Sequence, residues 1–189
     1  MSNKVIAGFI CVGLLAFSGA IRAELTSVGP GGFAVKHVFT SQQQPAAVYQ
    51  ALLNISQWWH PDHSWSGDAA NLYIREELGG CFCERLPAAS GNDDAPASPA
   101  GSVEHLRIFH LNPNREIRLD GSLGPLSEMP VQGRMIWKIE AGESGSTVTF
   151  SYLVHGFLEG GFEGIAGAVD GVIGQQASRL EQLLKNPDL

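Results

Sequence analysis

Two cysteines set two positions apart, Cys81 and Cys83, are the first residues of this sequence whose type and spacing suggest chemistry. Side chains two apart in a β-strand point the same way, so both thiols would face one side of a sheet, which could be a cavity. A disulfide between them would close a tight ring that conflicts with extended backbone geometry. We therefore interpret them as two small buried side chains, with a disulfide or redox role as the open alternative.

The histidines form a second group of candidates. His60, Asp62 and His63 stand within four residues and could ligate a metal, but a stable site normally needs a third well-placed cluster, and none is visible. The sequence therefore predicts a loop with solvated side chains here, and neither a metal nor a cofactor. His110 and His155 end apolar strand patterns and could act as a general acid or base. Without a nucleophile beside them, a hydrogen-bonded structural histidine is the favoured interpretation.

Composition narrows the classes of function. The chain has 189 residues and 44% hydrophobic residues, which is enough for one folded domain. Its 12 basic and 19 acidic residues give a net charge of -7, so there is no electrostatic reason to bind nucleic acid. A serine nucleophile elbow, a phosphate-binding loop and a dinucleotide fingerprint are all missing from the sequence.

Residues 1–23 have the pattern of a secretory signal peptide. Lys4 gives a positive start, residues 5–17 form an apolar run, and either Ala20 or Ala23 could precede the cleavage site. Ala20 has the better small residue upstream of it. The apolar run is shorter than a comfortable membrane span. We expect a periplasmic or secreted protein without a transmembrane segment after cleavage, in a compartment that favours cysteine oxidation.

The remaining chain alternates between strand and helix patterns. Residues 24–32 are rich in Gly, Pro and Ser and predict a flexible lead-in, and residues 41–59 have helical spacing after a strand. A last amphipathic helix is predicted over residues 162–184. The predicted strands, mostly in hairpins, are residues 33–40, 72–77, 81–86, 103–111, 116–122, 134–140 and 147–155. This order predicts an α+β fold, a curved antiparallel sheet with helices collected on one face.

This pattern resembles the START-like, or SRPBCC, superfamily, in its polyketide-cyclase and chaperone-ATPase-activator branch. The resemblance covers residues 33–184 and rests on the opening strand followed by Trp58-Trp59, on Gly79-Gly80 before a strand, on the hairpin series and on the last helix after Val154-His155-Gly156-Phe157. It implies a helix-grip fold, a single domain over residues 33–185, in which the sheet wraps the long last helix around an internal cavity. Members commonly bind lipids, polyketides or other apolar molecules there.

Strand alternation places the candidate cavity residues. Leu106, Ile108 and His110 should share the inner face of their strand, with His105, Arg107 and Phe109 on the outer one. The candidate ligand-cavity residues are Trp58, Trp59, Cys81, Cys83, Leu106, Ile108, His110, Leu119, Met135, Trp137, His155, Ile165, Val169 and Val172.

Three hypotheses about function follow. The first is an exported monomer that binds a small apolar or amphipathic ligand, and the second is a cyclase-, dehydratase- or hydrolase-like enzyme that uses His110 or His155 with the cysteines. The third is an interaction protein that uses a glycine-rich face of the last helix, formed by Gly164, Gly167, Gly171, Gly174 and Ser178. We favour a merely solvated glycine face, and we favour ligand binding over catalysis.

Overall fold

The computed structural model of the chain describes residues 22–91 and 97–186. The predicted signal segment lies outside the described residues except for its last two positions, so export remains a prediction. Of the helices in the described ranges, none combines the length and the apolar character needed to span a bilayer.

Eight strands and two α-helices build the fold. The strands are β1 (Arg22–Gly29), β2 (Gly32–Ser41), β3 (Leu72–Ile74), β4 (Cys81–Leu86), β5 (Gly101–Asn112), β6 (Glu116–Asp120), β7 (Val131–Gly142) and β8 (Gly145–Gly156). The helices are α1 (Pro45–Leu53) and α2 (Glu163–Lys185), and 3-10 turns cover Ile55–Gln57, Pro61–His63, Ala69–Asn71 and Gly124–Glu128.

All eight strands form one antiparallel sheet in the order β1-β2-β8-β7-β6-β5-β4-β3. The sheet is curved and does not close, so β1 and β3 are its edges. The α+β fold class predicted from the sequence is confirmed. The prediction of a loose lead-in over residues 24–32 is wrong, because most of that segment belongs to β1 and pairs with β2.

Helix α1 ends earlier than its periodicity predicts. At Asn54 the backbone leaves the helical region, with φ −82° and ψ 53°. The indole N–H of Trp58 then donates to the carbonyl of Ala51 at 3.0 Å, which satisfies one of the carbonyls left free at the helix end. This short turn delivers Trp58 to the core and Trp59 to the wall of the cavity described below.

The concave face of the sheet carries the core. In β2, the side chains of Phe33, Val35, His37 and Phe39 are buried and the residues between them are not, as the alternation predicts. Helix α2 lies over this face through residues about one or two helical turns apart. Its buried apolar residues are Ala166, Ile173, Ala177, Leu180 and Leu184.

One glycine of α2 is required by this packing. Gly174 faces the ring of His37, and a Cβ at that position would lie 2.6 Å from His37 Cε1. One turn earlier, the Asp170 carboxylate hydrogen-bonds His37 Nε2 at 2.9 Å. By contrast, a Cβ at Gly164, Gly167 or Gly171 would have no neighbour within 4 Å. Gly174 therefore does not belong to the open glycine face, contrary to the prediction.

We expect opposite effects from alanine at these glycines. Gly167→Ala and Gly171→Ala should each raise the free energy of unfolding by up to about 1 kcal/mol, because alanine restricts the unfolded chain and fits an open position. Gly174→Ala should lower it by about 1–2 kcal/mol, because the new methyl group collides with a buried ring. Urea unfolding of the three variants measures this. A Gly174→Ala protein as stable as the other two would contradict the assignment.

Candidate functional site

A cavity of about 510 Å³ lies beside the N-terminal half of α2. We call it the α2 cavity; it lies between α2, the 3-10 turn Pro61–His63 with the residues around it, and the 3-10 turn Gly124–Glu128. Its walls are mostly apolar. The apolar lining residues are Trp59, Trp65, Leu123, Pro125, Leu126, Met129, Ile165, Ala168, Val169, Val172 and Ile173, and the polar side chains are those of Asp62, His63, Ser64 and His105.

Helix α2 supplies one wall through its spacing. Ile165, Val169 and Val172 stand at i, i+4 and i+7, which places them on one side of a helix. They are only partly buried, whereas Ile173 is buried with the core. Part of the apolar face of α2 therefore stays partly accessible in the cavity, whereas the rest is buried in the core.

Tyr152 positions the opposite wall. Its hydroxyl accepts a hydrogen bond from the Leu123 N–H at 3.0 Å and donates to the Gly121 carbonyl at 3.1 Å. Burial raises the pKa of Tyr152 to about 12, so the hydroxyl keeps its proton for that donation. Gly133 lies against this hydroxyl and leaves no room for a side chain. The loop that carries Leu126 is thereby tied to β8.

One histidine of the cavity wall, His105, is paired with a buried acid, Glu84, that does not itself line the cavity. Glu84 of β4 is fully buried, and its carboxylate accepts hydrogen bonds from the backbone N–H groups of Trp65 at 3.0 Å and Ser66 at 2.6 Å. His105 Nε2 lies 2.9 Å from the same carboxylate. The imidazole stacks on Phe82, with ring centroids 4.6 Å apart.

The hydrogen bonds and the burial shift the pKa values of both Glu84 and His105. Burial alone would raise the pKa of Glu84, but hydrogen bonds from Ser66, Trp65 and His105 outweigh it and hold the pKa below its ordinary value. Burial lowers the pKa of His105, although the nearby carboxylate of Glu84 opposes this effect. At neutral pH the pair is therefore a carboxylate beside a neutral imidazole.

His63 lies in the same cavity with a different partner. Its Nδ1 is 2.8 Å from Nε2 of Gln176, a buried residue of α2, and Gln176 Oε1 accepts the His60 backbone N–H at 2.7 Å. Burial, followed by the proximity of His60, lowers the pKa of His63, although Asp62 opposes the shift. The segment predicted to be a solvated loop is thus a 3-10 turn that is fastened to α2.

The cysteines lie elsewhere. Cys81 and Cys83 form a disulfide, with a Cα–Cα distance of 5.4 Å that lies within the usual range, and neither lines the α2 cavity. Phe82 and Glu84 point inward from β4, so alternation turns the cysteines to the opposite side. Both cysteines are buried, as the favoured interpretation expects, but they are bonded to each other, which was the open alternative, and they do not line the cavity for which they were candidates.

The other predicted site residues divide into three groups. Trp59, Ile165, Val169 and Val172 line the α2 cavity. A second group is buried in the core away from it, namely Trp58, Leu106, Ile108, Leu119, Met135 and Trp137. His110 and His155 also lie outside the cavity: His155 is exposed, and His110 lies 3.4 Å from Glu116 with its side chain 41% accessible.

Two β-bulges in β5 explain why His105, rather than the predicted His110, faces the inside of the sheet. In the pairing of β5, Glu104 opposes Cys83 and Leu106 opposes Phe82, so His105 is an extra residue, and it turns inward. A second extra residue, Phe109, shifts His110 to the outer face. The sequence contained one signal for this site. Glu84 lies on the same strand face as the apolar Phe82, and a carboxylate is stable in such a buried position only when hydrogen-bond donors surround it.

Comparison with known proteins gives the fold. No protein-family profile matches the sequence, and no curated protein matches it. An uncharacterised protein from Rhizobium leguminosarum has a similar structure, with 18% identity and a TM-score of 0.55 over 88% of this chain and 98% of that one. CalU16 from Micromonospora echinospora is similar over 92% of this chain and 88% of its own, with 11% identity and a TM-score of 0.51.

A third neighbour has a described pathway. The di-domain ARO/CYC protein StfQ from the steffimycin biosynthetic pathway matches 84% of this chain and 52% of its own, with 10% identity and a TM-score of 0.54. At such identities the likeness concerns the fold alone. The eight-stranded curved sheet and the long last helix of this chain form a helix-grip fold.

Proposed function

We propose that this protein binds a small apolar or amphipathic molecule in the α2 cavity. The observation that carries the proposal is the cavity itself: about 510 Å³ is within the size range of small-molecule sites, and apolar side chains dominate its walls. A ligand would cover Ile165, Val169 and Val172, which the protein leaves partly accessible. We further propose that the protein acts as a monomer.

The mouth of the cavity fits an amphipathic ligand. Trp65 is 50% exposed, and Asp62 and Pro125 are also exposed, so this side opens to water. Trp59 is buried, and its indole N–H donates to the His63 carbonyl at 2.9 Å, which holds the ring as a fixed apolar surface. A molecule with an apolar body and one polar group could place the body against α2 and Trp59.

A second candidate function is an enzyme with a cyclase-like reaction on a hydrophobic substrate. The observation in its favour is the Glu84–His105 pair, a carboxylate that orients an imidazole at the wall of the same cavity. The description of StfQ as an ARO/CYC protein is compatible with this candidate. The pair replaces His110 and His155 as the group with which an enzyme would work.

Filling the cavity should abolish ligand binding. We expect Val172→Trp to occupy the space beside Val169 and to remove any small molecule that accompanies the wild-type protein. Native mass spectrometry with solvent extraction of the exported protein measures this. Gln175→Trp is the matched control, because it adds the same ring to an exposed position of α2 outside the cavity. Equal ligand content in the two variants would contradict the proposed site.

Export is the second part of the proposal. The disulfide between Cys81 and Cys83 supports an oxidising compartment, since cytosolic reductants keep most thiols reduced. Cleavage after Ala20 would leave all of β1, whereas cleavage after Ala23 would remove Arg22 and Ala23, which pair with β2. We therefore propose a mature chain that begins at residue 21.

Expression of the full chain in a bacterium with two membranes tests this. We expect the protein in the periplasmic fraction, with an intact mass that lacks residues 1–20 and two hydrogens for the disulfide. Leu14→Arg with Leu15→Arg interrupts the apolar run and should keep the chain in the cytoplasm at full length. A wild-type protein that keeps its N-terminus in the cytoplasm would refute export.

A further inference from the structure

Two histidines in the α2 cavity each have one ring nitrogen fixed by a protein partner and one without a partner among the described residues. His105 hydrogen-bonds through Nε2, and His63 through Nδ1. The remaining nitrogens are His105 Nδ1 and His63 Nε2. Both are absent from the set of fully buried polar atoms without a partner. The identity of each fixed partner decides which remaining nitrogen carries a proton.

Glu84 decides the form of His105. Its carboxylate already accepts the N–H groups of Trp65 and Ser66, and an ionised carboxylate has no proton to donate. His105 Nε2 must therefore donate across the 2.9 Å contact. In the neutral imidazole, Nδ1 is then left with a lone pair. His105 is a lining residue of the cavity, and its remaining nitrogen is a hydrogen-bond acceptor and a base.

Gln176 decides the form of His63. The His60 backbone N–H can only donate, so the atom of Gln176 that receives it at 2.7 Å is the amide oxygen. The amide nitrogen then donates to His63 Nδ1 at 2.8 Å. In the neutral imidazole the proton is consequently on Nε2. His63 is a lining residue of the same cavity, and its remaining nitrogen is a hydrogen-bond donor.

We propose that the α2 cavity catalyses enolisation of an apolar ketone, with His105 as the base and His63 as the donor to the carbonyl oxygen. This inference rests on the proposed ligand site and adds a reaction to it. A base and a neutral donor on one apolar cavity are the two groups that removal of a proton beside a carbonyl requires.

The step balances within the cavity. His105 Nδ1 takes a proton from the carbon next to the carbonyl, and the electron pair of that C–H bond forms the C=C bond of the enolate. The carbonyl π electrons move to the oxygen, which accepts a hydrogen bond from His63 Nε2–H. The imidazolium of His105 lies beside the Glu84 carboxylate. Return of the proton to the same carbon gives the ketone again and restores His105. In a β,γ-unsaturated ketone, return to the γ carbon of the dienolate gives the conjugated isomer instead.

Two observations favour proton transfer over a covalent mechanism. Among the described residues that line the cavity, Ser64 alone carries a hydroxyl, and it donates to the Pro61 carbonyl at 2.6 Å rather than to a histidine. The sulfurs of Cys81 and Cys83 are bonded to each other outside the cavity. Neither residue type is activated as a nucleophile there. The lowered pKa of both histidines also keeps them neutral at neutral pH.

Hydrogen–deuterium exchange of 2-tetralone in D₂O tests the inference. We expect the wild-type protein to accelerate exchange next to the carbonyl over the buffer rate, as followed by NMR. His105→Gln and His63→Phe should each reduce this acceleration on the order of 100-fold. Thermal unfolding checks that the variants fold. If the His105→Gln variant does not fold, the His63→Phe variant, whose site is more accessible, is compared with the wild type instead. His110→Gln, outside the cavity, should leave the rate unchanged.

Binding is measured separately, by saturation-transfer NMR with the same ketone. Absence of binding to the wild type would contradict the proposed function, and this inference with it. Binding without accelerated exchange would overturn the inference alone, and so would exchange that the folded variants retain in full.

Glu84 is a positioning residue in this scheme, and it has its own readout. Glu84→Gln can present an N–H to His105 Nε2, which would transfer the imidazole proton to Nδ1 and remove the base from the cavity. ¹⁵N chemical shifts of the His105 ring should show this change of tautomer together with the loss of exchange. An unchanged tautomer with full exchange activity would overturn the role of Glu84.

Discussion

The packing of α2 on the concave face of the sheet is the contact on which the other features depend. Four glycines, Gly164, Gly167, Gly171 and Gly174, make α2 weak in isolation, by up to about 1 kcal/mol each relative to alanine. Burial of a leucine-sized side chain contributes about 1.5–3 kcal/mol, so a few docked residues such as Leu180 offset this weakness. The helix therefore forms because it is docked, and its contact with β2 through His37 and Asp170 fixes where it lies.

A second constraint is the charge of Glu84. A buried carboxylate is costly unless donors surround it, and here two backbone N–H groups and His105 do so. The same hydrogen bonds hold residues 65 and 66 against β4 and fix the rotation of the imidazole. These hydrogen bonds fix the His105 side of the α2 cavity, whereas the apolar side chains along α2 stay partly accessible. This division suits a site that aligns one polar group of a ligand and tolerates variation in the rest.

Strand alternation and helical spacing were sufficient to predict the strands other than β1, the last helix and the inward positions of Leu106, Ile108 and Trp137. They were not sufficient for the site. A period-2 pattern keeps its phase only in regular strands, and the bulges of β5 shift that phase, so His105 turns inward and His110 outward. The loop with Leu126 has no periodicity at all; its position depends on Tyr152, far away in the sequence. Of the predicted site residues, those on α2 could be placed because the helix is regular up to its end.

The four tryptophans lie in two different environments. Trp58 and Trp137 are fully buried in edge-on contact within the core, with ring centroids 5.8 Å apart. Trp59 and Trp65 line the α2 cavity, and Trp65 is half exposed to water. The intrinsic fluorescence of the folded protein is therefore a sum of a blue-shifted core component and a cavity component that is partly relaxed by water. An occupant of the cavity lies against Trp59 and Trp65, so it should change the second component more than the first.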